Sequence, residues 1–158
     1  MRTGDVLLSI GGDDLIDTCI RDEEGSVYTH AALAVSDSQF VESWWNGVRR
    51  NNIQGKTNIV VFSPIIPLTV DQQCELIGYC QGKIGESYNF AQLAGFIYER
   101  LFNKKHNPFG NPHETICSQV VIQGYRGLLG IDLCPGIEDF SVRPSDLSTS
   151  KLLRQEVL

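Results

Sequence analysis

Short apolar runs, each bounded by turn residues, fill most of the chain between residues 4 and 63. Their length and spacing predict five strands. These runs are residues 4–10, 29–35, 40–45, 48–53 and 58–63, and residues 152–157 add a final edge strand. Most segments with helical spacing follow this block. Because strands and helices are separated along the chain, the pattern predicts an α+β fold in which an antiparallel sheet packs against helices.

Four segments carry the apolar spacing of helices. Residues 13–24 form the first and residues 88–102 the third. The second is predicted over residues 69–83, with Thr69 as its N-cap. The residues expected to face inward are Val70, Cys74 and Ile77, with Cys80 as a further candidate. Residues 103–113 contain two prolines and a glycine and are predicted to be a loop leading into the last helix. Whether that loop acts as a lid is left open by the sequence.

Charge and composition limit the partners. The formal net charge is −6, whereas nucleic acid and anionic lipid both favour a basic surface. The hydrophobic content of 42% and charged content of 20% are those of an ordinary soluble protein, so residues 1–158 are predicted to form one domain. No run suggests a signal peptide or a membrane span, which predicts a cytoplasmic protein without integral membrane association. Five cysteines, an odd number, favour free thiols in a reducing compartment.

The last predicted helix carries a cysteine in its first turn. Thr115 is the expected N-cap, and the helix is expected to end between Gly127 and Gly130. Its apolar stripe is predicted to comprise Ile116, Val120, Val121, Gly124, Tyr125 and Leu128. In the first turn, Cys117 faces unpaired backbone N–H groups and the positive end of the helix dipole, which favour a thiolate. A nucleophile and an ordinary core cysteine both fit this position.

Two polar residues interrupt the apolar strands upstream. His30 lies among alanines, and Glu42 lies between Val41 and Ser43, where burial is costly unless the groups are paired. Both positions have the same parity, so a hairpin loop of odd length places their side chains on one face of the sheet. A loop over residues 35–37 sets them directly opposite, whereas a loop over residues 36–38 sets them diagonally. An even-length loop separates them.

Four segments together resemble a known family. In chain order they are Gly4-Asp5-Val6-Leu7-Leu8, Thr29-His30-Ala31-Ala32-Leu33, Phe40-Val41-Glu42-Ser43 and Ile116-Cys117-Ser118-Gln119-Val120-Val121. This order resembles the circularly permuted branch of the NlpC-type papain-like hydrolases, the YiiX/YebB-like group, with lecithin retinol acyltransferase as a distant relative. Residues 82–88 and 143–147 resemble the glycine–tyrosine segment and the proline-containing tail of that group. The resemblance implies a permuted papain-like fold with the nucleophile helix late in the chain.

The resemblance also implies roles for individual residues. Cys117 is expected to be the nucleophile, His30 the general base and acid, and Glu42 the group that orients the imidazole. The backbone N–H of Cys117 would meet the oxyanion. Tyr88 could assist there or line the cleft, or it could be a buried helix residue. Further cleft candidates by position are Trp44, Trp45 and His113. Relatives often carry glutamate where this chain has Gln119, which we expect on the helix surface.

The expected function is therefore hydrolysis of an amide bond in a peptide, an isopeptide or a peptidoglycan stem. An acyltransferase or lipid esterase using the same three residues, and a catalytically idle binding module, are the alternatives. We expect no cofactor. No two cysteines or histidines have the spacing of a metal-ligand pair, so no metal is expected. The natural substrate and the oligomeric state are left open.

Overall fold

A computed structural model describes residues 1–11, 26–44, 46–87 and 117–156. Its centre is an antiparallel sheet of six strands in the order β4-β3-β2-β1-β5-β6. The strands are β1 (Val6–Ile10), β2 (Tyr28–Ala34), β3 (Gln39–Trp44), β4 (Gly47–Asn52), β5 (Ile59–Pro64) and β6 (Leu153–Gln155). The predicted α+β class and antiparallel sheet are confirmed, and β6 lies at an edge as expected.

The two central strands, β1 and β2, are buried on both sides. Val6, Leu7 and Leu8 are almost fully inaccessible, as are residues 31–34. One apolar cluster joins the sheet to the helices, and a smaller one comprises Leu7, Ala32, Ala34, Phe40 and Val61. The small side chains of β2 allow close packing, and the continuous apolar character of these strands follows from their burial on both faces.

Helix α1 (Val70–Lys83) begins where the sequence predicts, because Thr69 and Gln72 form a reciprocal capping box. Its predicted inward face is partly wrong. Leu76 and Cys80 are buried and Ile77 is half-buried, whereas Val70 and Cys74 are exposed. Leu76 and Tyr79 approach Gly124, and this contact selects which of two overlapping apolar stripes faces the core.

Helix α2 (Cys117–Ile122) continues directly into a π-helical segment (Gln123–Leu128). Val120, Val121, Gly124 and Tyr125 are buried as predicted, but Leu128 is 41% exposed. The wider i→i+5 turn rotates later residues away from the four-residue spacing, which explains the wrong prediction at Leu128. Gln119 is buried and not on the helix surface, because α2 is covered on all sides.

Two buried hydrogen bonds anchor α2 and the π-helical segment that continues it. The Ser118 hydroxyl donates to the carbonyl oxygen of Val142 at 2.5 Å, and the Tyr125 hydroxyl donates to the carbonyl oxygen of Gly4. Residues 131–150 were expected to be irregular, but they include a 3₁₀ turn (Asp139–Ser141) and a short helix α3 (Pro144–Ser148). Pro144 begins α3, where proline is favoured. The start of α2 is thus tied to the core.

The predicted helices at residues 13–24 and 88–102, the loop at residues 103–113 and the N-cap Thr115 lie outside the described residues. Within the described ranges, no helix has the length and apolar character required to cross a bilayer.

The turn between β3 and β4 holds these strands against the segment after α1. Gly47 has a φ of 109°, and a Cβ added there would lie 2.7 Å from the carbonyl oxygen of Glu86. The neighbouring Val48 N–H donates to that same oxygen at 2.8 Å. A side chain at position 47 would therefore meet both backbone strain and a backbone atom that cannot easily move.

We expect Gly47→Ala to lower the free energy of unfolding by about 3 kcal/mol, through left-handed strain and steric overlap. The matched control is Gly55→Ala, where φ is 78° but no atom of the described residues lies within 4 Å. It should cost only about 1 kcal/mol, the strain alone. Urea denaturation measures both values, and equal losses would contradict the role assigned to the contact with Glu86.

Candidate active site

The β2–β3 hairpin brings His30 and Glu42 together. Ala32 pairs with Glu42, Leu33 with Val41 and Ala34 with Phe40. This register corresponds to the loop over residues 36–38, so the diagonal alternative is the one adopted. The His30 Nε2 and Glu42 Oε2 atoms are 2.9 Å apart. With an ionised carboxylate, the Nε2–H group of the imidazole is the donor.

Both partners are withdrawn from solvent, with side-chain exposures of 11% for His30 and 6% for Glu42. The second carboxylate oxygen of Glu42, Oε1, accepts hydrogen bonds from β4. Arg49 donates through Nε at 2.9 Å and approaches through Nη2 at 2.8 Å. Asn51 donates through Nδ2 at 3.1 Å. The buried carboxylate therefore has partners on both oxygens, as a buried charge requires.

Trp44 packs against the imidazole. The ring centroids of His30 and Trp44 are 4.9 Å apart and the ring planes meet at 88°, an edge-to-face contact. The guanidinium carbon of Arg49 lies 5.1 Å from the centroid of the Trp44 ring, within the range of a cation–π interaction. The imidazole is thus held by a carboxylate and an indole, and both of these groups contact Arg49.

Cys117 approaches the imidazole from α2. It is the first residue of that helix, is half-buried and has a free thiol. Helix α2 packs against β2 and β3, and the Cys117 side chain lies close enough to His30 to raise the pKa of the imidazole. The structure therefore brings together the sulfur, the imidazole and the carboxylate named from the sequence.

The electrostatics favour a charged imidazole. Burial disfavours the imidazolium and lowers the pKa of His30, but Cys117 and then Glu42 outweigh this effect and raise it to about 9. Burial likewise raises the pKa of Glu42, while His30, Asn51 and Arg49 bring it down to about 2. At neutral pH the site therefore holds an imidazolium beside a carboxylate.

The other described cysteines lie in different surroundings. Burial raises the pKa of the Cys80 thiol to about 12 and that of Cys134 to about 11. Cys74 is free and exposed on α1. Cys117 differs from all three because its side chain interacts with an imidazole, that of His30.

Three residues named from the sequence as cleft candidates, Trp45, Tyr88 and His113, lie outside the described residues. Trp44, the fourth, lies against His30. Arg49 and Asn51 were not predicted from the sequence as site residues, although the sequence contains a pattern that indicates them. They alternate along β4 directly after the Asn46-Gly47 turn, and an alternating polar pair beside a strand that carries a buried acid is a candidate partner for that acid.

The chain matches no known family model, and no curated protein sequence matches it. Among solved structures, the crystal structure of the metalloprotein yiiX from Escherichia coli O157:H7 is similar, with a TM-score of 0.72 at 16% sequence identity. The match covers 99% of this chain and 96% of that one. The chain therefore has a YiiX-like fold, and a likeness at this level of identity concerns the fold alone.

The raised pKa of His30 and the lowered pKa of Glu42 predict how stability changes with pH. The His30 contribution is complete below pH 6.5 and is lost as the pH rises through about 9. The Glu42 contribution is complete above pH 4.5 and is lost as the pH falls through about 2. The pair should therefore contribute most between pH 4.5 and 6.5.

Glu42→Gln removes the charge but keeps the shape of the side chain. We expect the pKa of His30, followed by NMR of the imidazole, to fall well below its wild-type value. We also expect the free energy of unfolding near pH 5.5 to fall by about 3 kcal/mol, as for other broken buried pairs. The deficit should shrink above pH 9. An unchanged His30 titration would contradict the assigned pairing.

Proposed function

We propose that this protein is a cysteine hydrolase that cleaves an amide bond through Cys117, His30 and Glu42. One observation carries the proposal: a buried imidazole is engaged by Cys117 and, at the same time, by a buried carboxylate. Cysteine hydrolases of the papain type need a thiolate, an imidazole that shares its proton and a polar group that orients the imidazole. The three described residues have those chemical identities.

Acylation would begin from a Cys117 thiolate beside a His30 imidazolium. The sulfur attacks the carbonyl carbon of the amide and forms a C–S bond, and the carbonyl oxygen becomes an oxyanion. Since Nε2 of His30 is engaged by Glu42, Nδ1 is the nitrogen left to exchange a proton with the sulfur and the leaving group. When the tetrahedral intermediate collapses, the C–N bond breaks, and the leaving nitrogen takes the proton of His30. A thioester and a free amine result.

Deacylation would reverse the proton roles. Neutral His30 takes a proton from water as the oxygen attacks the thioester carbon. The C–S bond breaks, which releases the acid and restores the thiolate–imidazolium pair. Glu42 stabilises the imidazolium and fixes the orientation of the ring in both half-reactions. The Cys117 backbone N–H, at the start of α2 where N–H groups have no acceptor within the helix, is the proposed oxyanion donor.

The order of the elements supports a permuted papain-like arrangement. His30 and Glu42 lie on early strands, and Cys117 opens a late helix. In the papain arrangement the nucleophile helix comes first, so the two orders are related by a circular permutation. The YiiX-like fold, the antiparallel sheet and the late cysteine helix agree with this proposal.

The solved yiiX structure is described as that of a metalloprotein, so the donor set here was tested for a metal. Within residues 1–11, 26–44, 46–87 and 117–156, no group of three or more His, Cys, Asp or Glu side chains could hold an ion. Oε2 of Glu42 is engaged by His30, and Oε1 by Arg49 and Asn51. Glu42 is the only carboxylate among Cys117, His30 and Glu42. The positive charge of the Arg49 guanidinium bound to it disfavours a metal cation at the same place. The described residues do not fit a metal centre, and the proposed mechanism uses none.

An acyl-enzyme can pass its acyl group to an acceptor other than water, so acyltransfer and ester cleavage remain the alternative chemistry. The same three residues would serve. A panel of fluorogenic peptidyl amides and p-nitrophenyl esters separates the possibilities, because turnover of both classes indicates hydrolysis of amides, and turnover of esters alone indicates the alternative.

Alkylation by iodoacetamide at pH 7 tests whether Cys117 is activated. We expect Cys117 to react about tenfold or more faster than Cys74, because the imidazolium stabilises its thiolate. Cys74 is the matched control, since it is exposed while Cys117 is only half-buried. Peptide mass spectrometry resolves the two rates. If solvent accessibility alone determined the alkylation rate, Cys74 would react before Cys117. That order would favour the catalytically idle binding module.

Cys117→Ala should reduce turnover of any amide cleaved by the wild type by about 10³-fold or more, since the nucleophile is lost. Removal of one half-buried sulfur should leave the fold intact, as checked by circular dichroism and urea denaturation. Cys74→Ala is the control and should retain wild-type turnover. Full activity of Cys117→Ala would exclude the proposed mechanism.

A further inference from the structure

Arg49 contacts both of the described side chains that hold the imidazole, without being a partner of the imidazole itself. It lies on β4, one strand beyond Glu42. Its guanidinium binds the Glu42 carboxylate and also lies over the Trp44 ring. Its side chain is 36% exposed, whereas that of Glu42 is 6% exposed. The partly exposed Arg49 guanidinium therefore contacts the buried Glu42 carboxylate of the site.

The contact with Glu42 restricts rotation of the carboxylate. Two nitrogens of the planar guanidinium, Nε and Nη2, lie 2.9 and 2.8 Å from the same oxygen, Oε1. Asn51 donates a second hydrogen bond to that oxygen at 3.1 Å. Because Oε1 accepts from Arg49 Nε and Asn51 and also lies against Arg49 Nη2, the carboxylate is restrained with Oε2 at His30. A rigid fork of donors gives this geometric control, and the flexible ammonium of lysine does not.

The contact with Trp44 restricts the other side of the imidazole. The guanidinium carbon lies 5.1 Å from the indole centroid, and the indole meets the His30 ring edge to face at 4.9 Å. Movement of the indole would open space beside His30 and allow the imidazole to turn. Arg49 therefore restrains both the hydrogen-bonding partner and the packing partner of the same ring.

We propose that Arg49 is a positioning residue of the Cys117–His30–Glu42 site, which orients the His30 imidazole toward the sulfur by fixing Glu42 and Trp44. This inference rests on the proposed function. Proton transfer between the sulfur and the leaving group requires a precisely oriented imidazole. The inference is that Arg49, which is not one of the three catalytic groups, provides that orientation. Misplacement of such groups by about 1 Å can cost on the order of 10²-fold in rate.

Orientation and charge predict opposite consequences when Arg49 is replaced, which separates the two roles. Loss of the guanidinium removes a positive charge that competes with the imidazolium for Glu42. On charge alone, the His30 imidazolium should become more stable, its pKa should not fall, and Cys117 should stay activated. If Arg49 positions the ring, its loss lets the imidazole turn away from the sulfur. The contact with Cys117 that raises the His30 pKa then weakens, the pKa falls and the reaction slows.

The experiment compares wild type, Arg49→Met, Arg49→Lys and Arg50→Met. The measurements are the alkylation rate of Cys117 by iodoacetamide at pH 7, the His30 titration by NMR and the melting temperature. Arg50 is the matched control because it is the next residue on β4, is also arginine, and is exposed. Arg50→Met should leave the Cys117 rate unchanged.

We expect Arg49→Met to slow alkylation of Cys117 by about tenfold or more, because the imidazole is no longer held toward the sulfur. The His30 pKa should fall, because the contact with Cys117 that raises it is weakened. Arg49→Lys keeps the charge without the fork and should remain at least about threefold slower than wild type. It also keeps the test valid should Arg49→Met lower the melting temperature below the assay range.

Three results would overturn the inference. Wild-type alkylation rates in Arg49→Met would show that Glu42 and Trp44 need no restraint. Full recovery in Arg49→Lys would show that charge suffices. A slower rate with an unchanged or raised His30 pKa would show that the ring keeps its contact with Cys117 and is not positioned by Arg49. If Cys117 of the wild type is no faster than Cys74, the proposed function itself fails and the inference falls with it. That comparison uses the wild type alone, so the two failures are distinguishable.

Discussion

The pairing of two ionisable side chains inside the sheet is the constraint on which the site depends. An imidazole and a carboxylate with exposures of 11% and 6% would each be costly to bury alone. Together they satisfy each other, and the strands around them supply the remaining partners. β2 carries the imidazole, β3 the carboxylate and the indole, and β4 the guanidinium and the amide. Three adjacent strands therefore contribute to one network.

The position of the sulfur depends on the core. Residues 118–122 of α2 are buried. The hydroxyl groups of Ser118 in α2 and of Tyr125 in the π-helical segment bind backbone carbonyls of distant segments. Such a helix has little freedom to slide or rotate, so the residue that opens it is held at a defined place beside β2. The arrangement illustrates how a reactive group can be placed by packing, while its electrostatics are set by neighbours on the sheet.

Strand positions were predictable because their signals are local. The turn residues around the hairpins and the apolar runs between them predicted the six described strands to within a few residues, and the N-cap Thr69 predicted the start of α1. Helix faces were harder to predict. Val70 and Cys74 have the spacing of a core stripe but are exposed, because Leu76 packs at Gly124. Leu128 follows a regular spacing that the π-helical segment interrupts. The first failure arises from a contact between elements distant in sequence, and the second from a local change of helix type.

The sequence by itself determined that His30 and Glu42 share parity on neighbouring strands and that Cys117 belongs to the first turn of a helix, since alternation and helical spacing are properties of the local chain. Only the tertiary structure decided that the hairpin adopts the diagonal register, that Arg49 and Asn51 bind the same carboxylate, and that the sulfur meets the imidazole. Parity is compatible with several registers, and the direction of a helix start is set by its packing. The convergence of these groups therefore depends on long-range contacts, which no local pattern specifies.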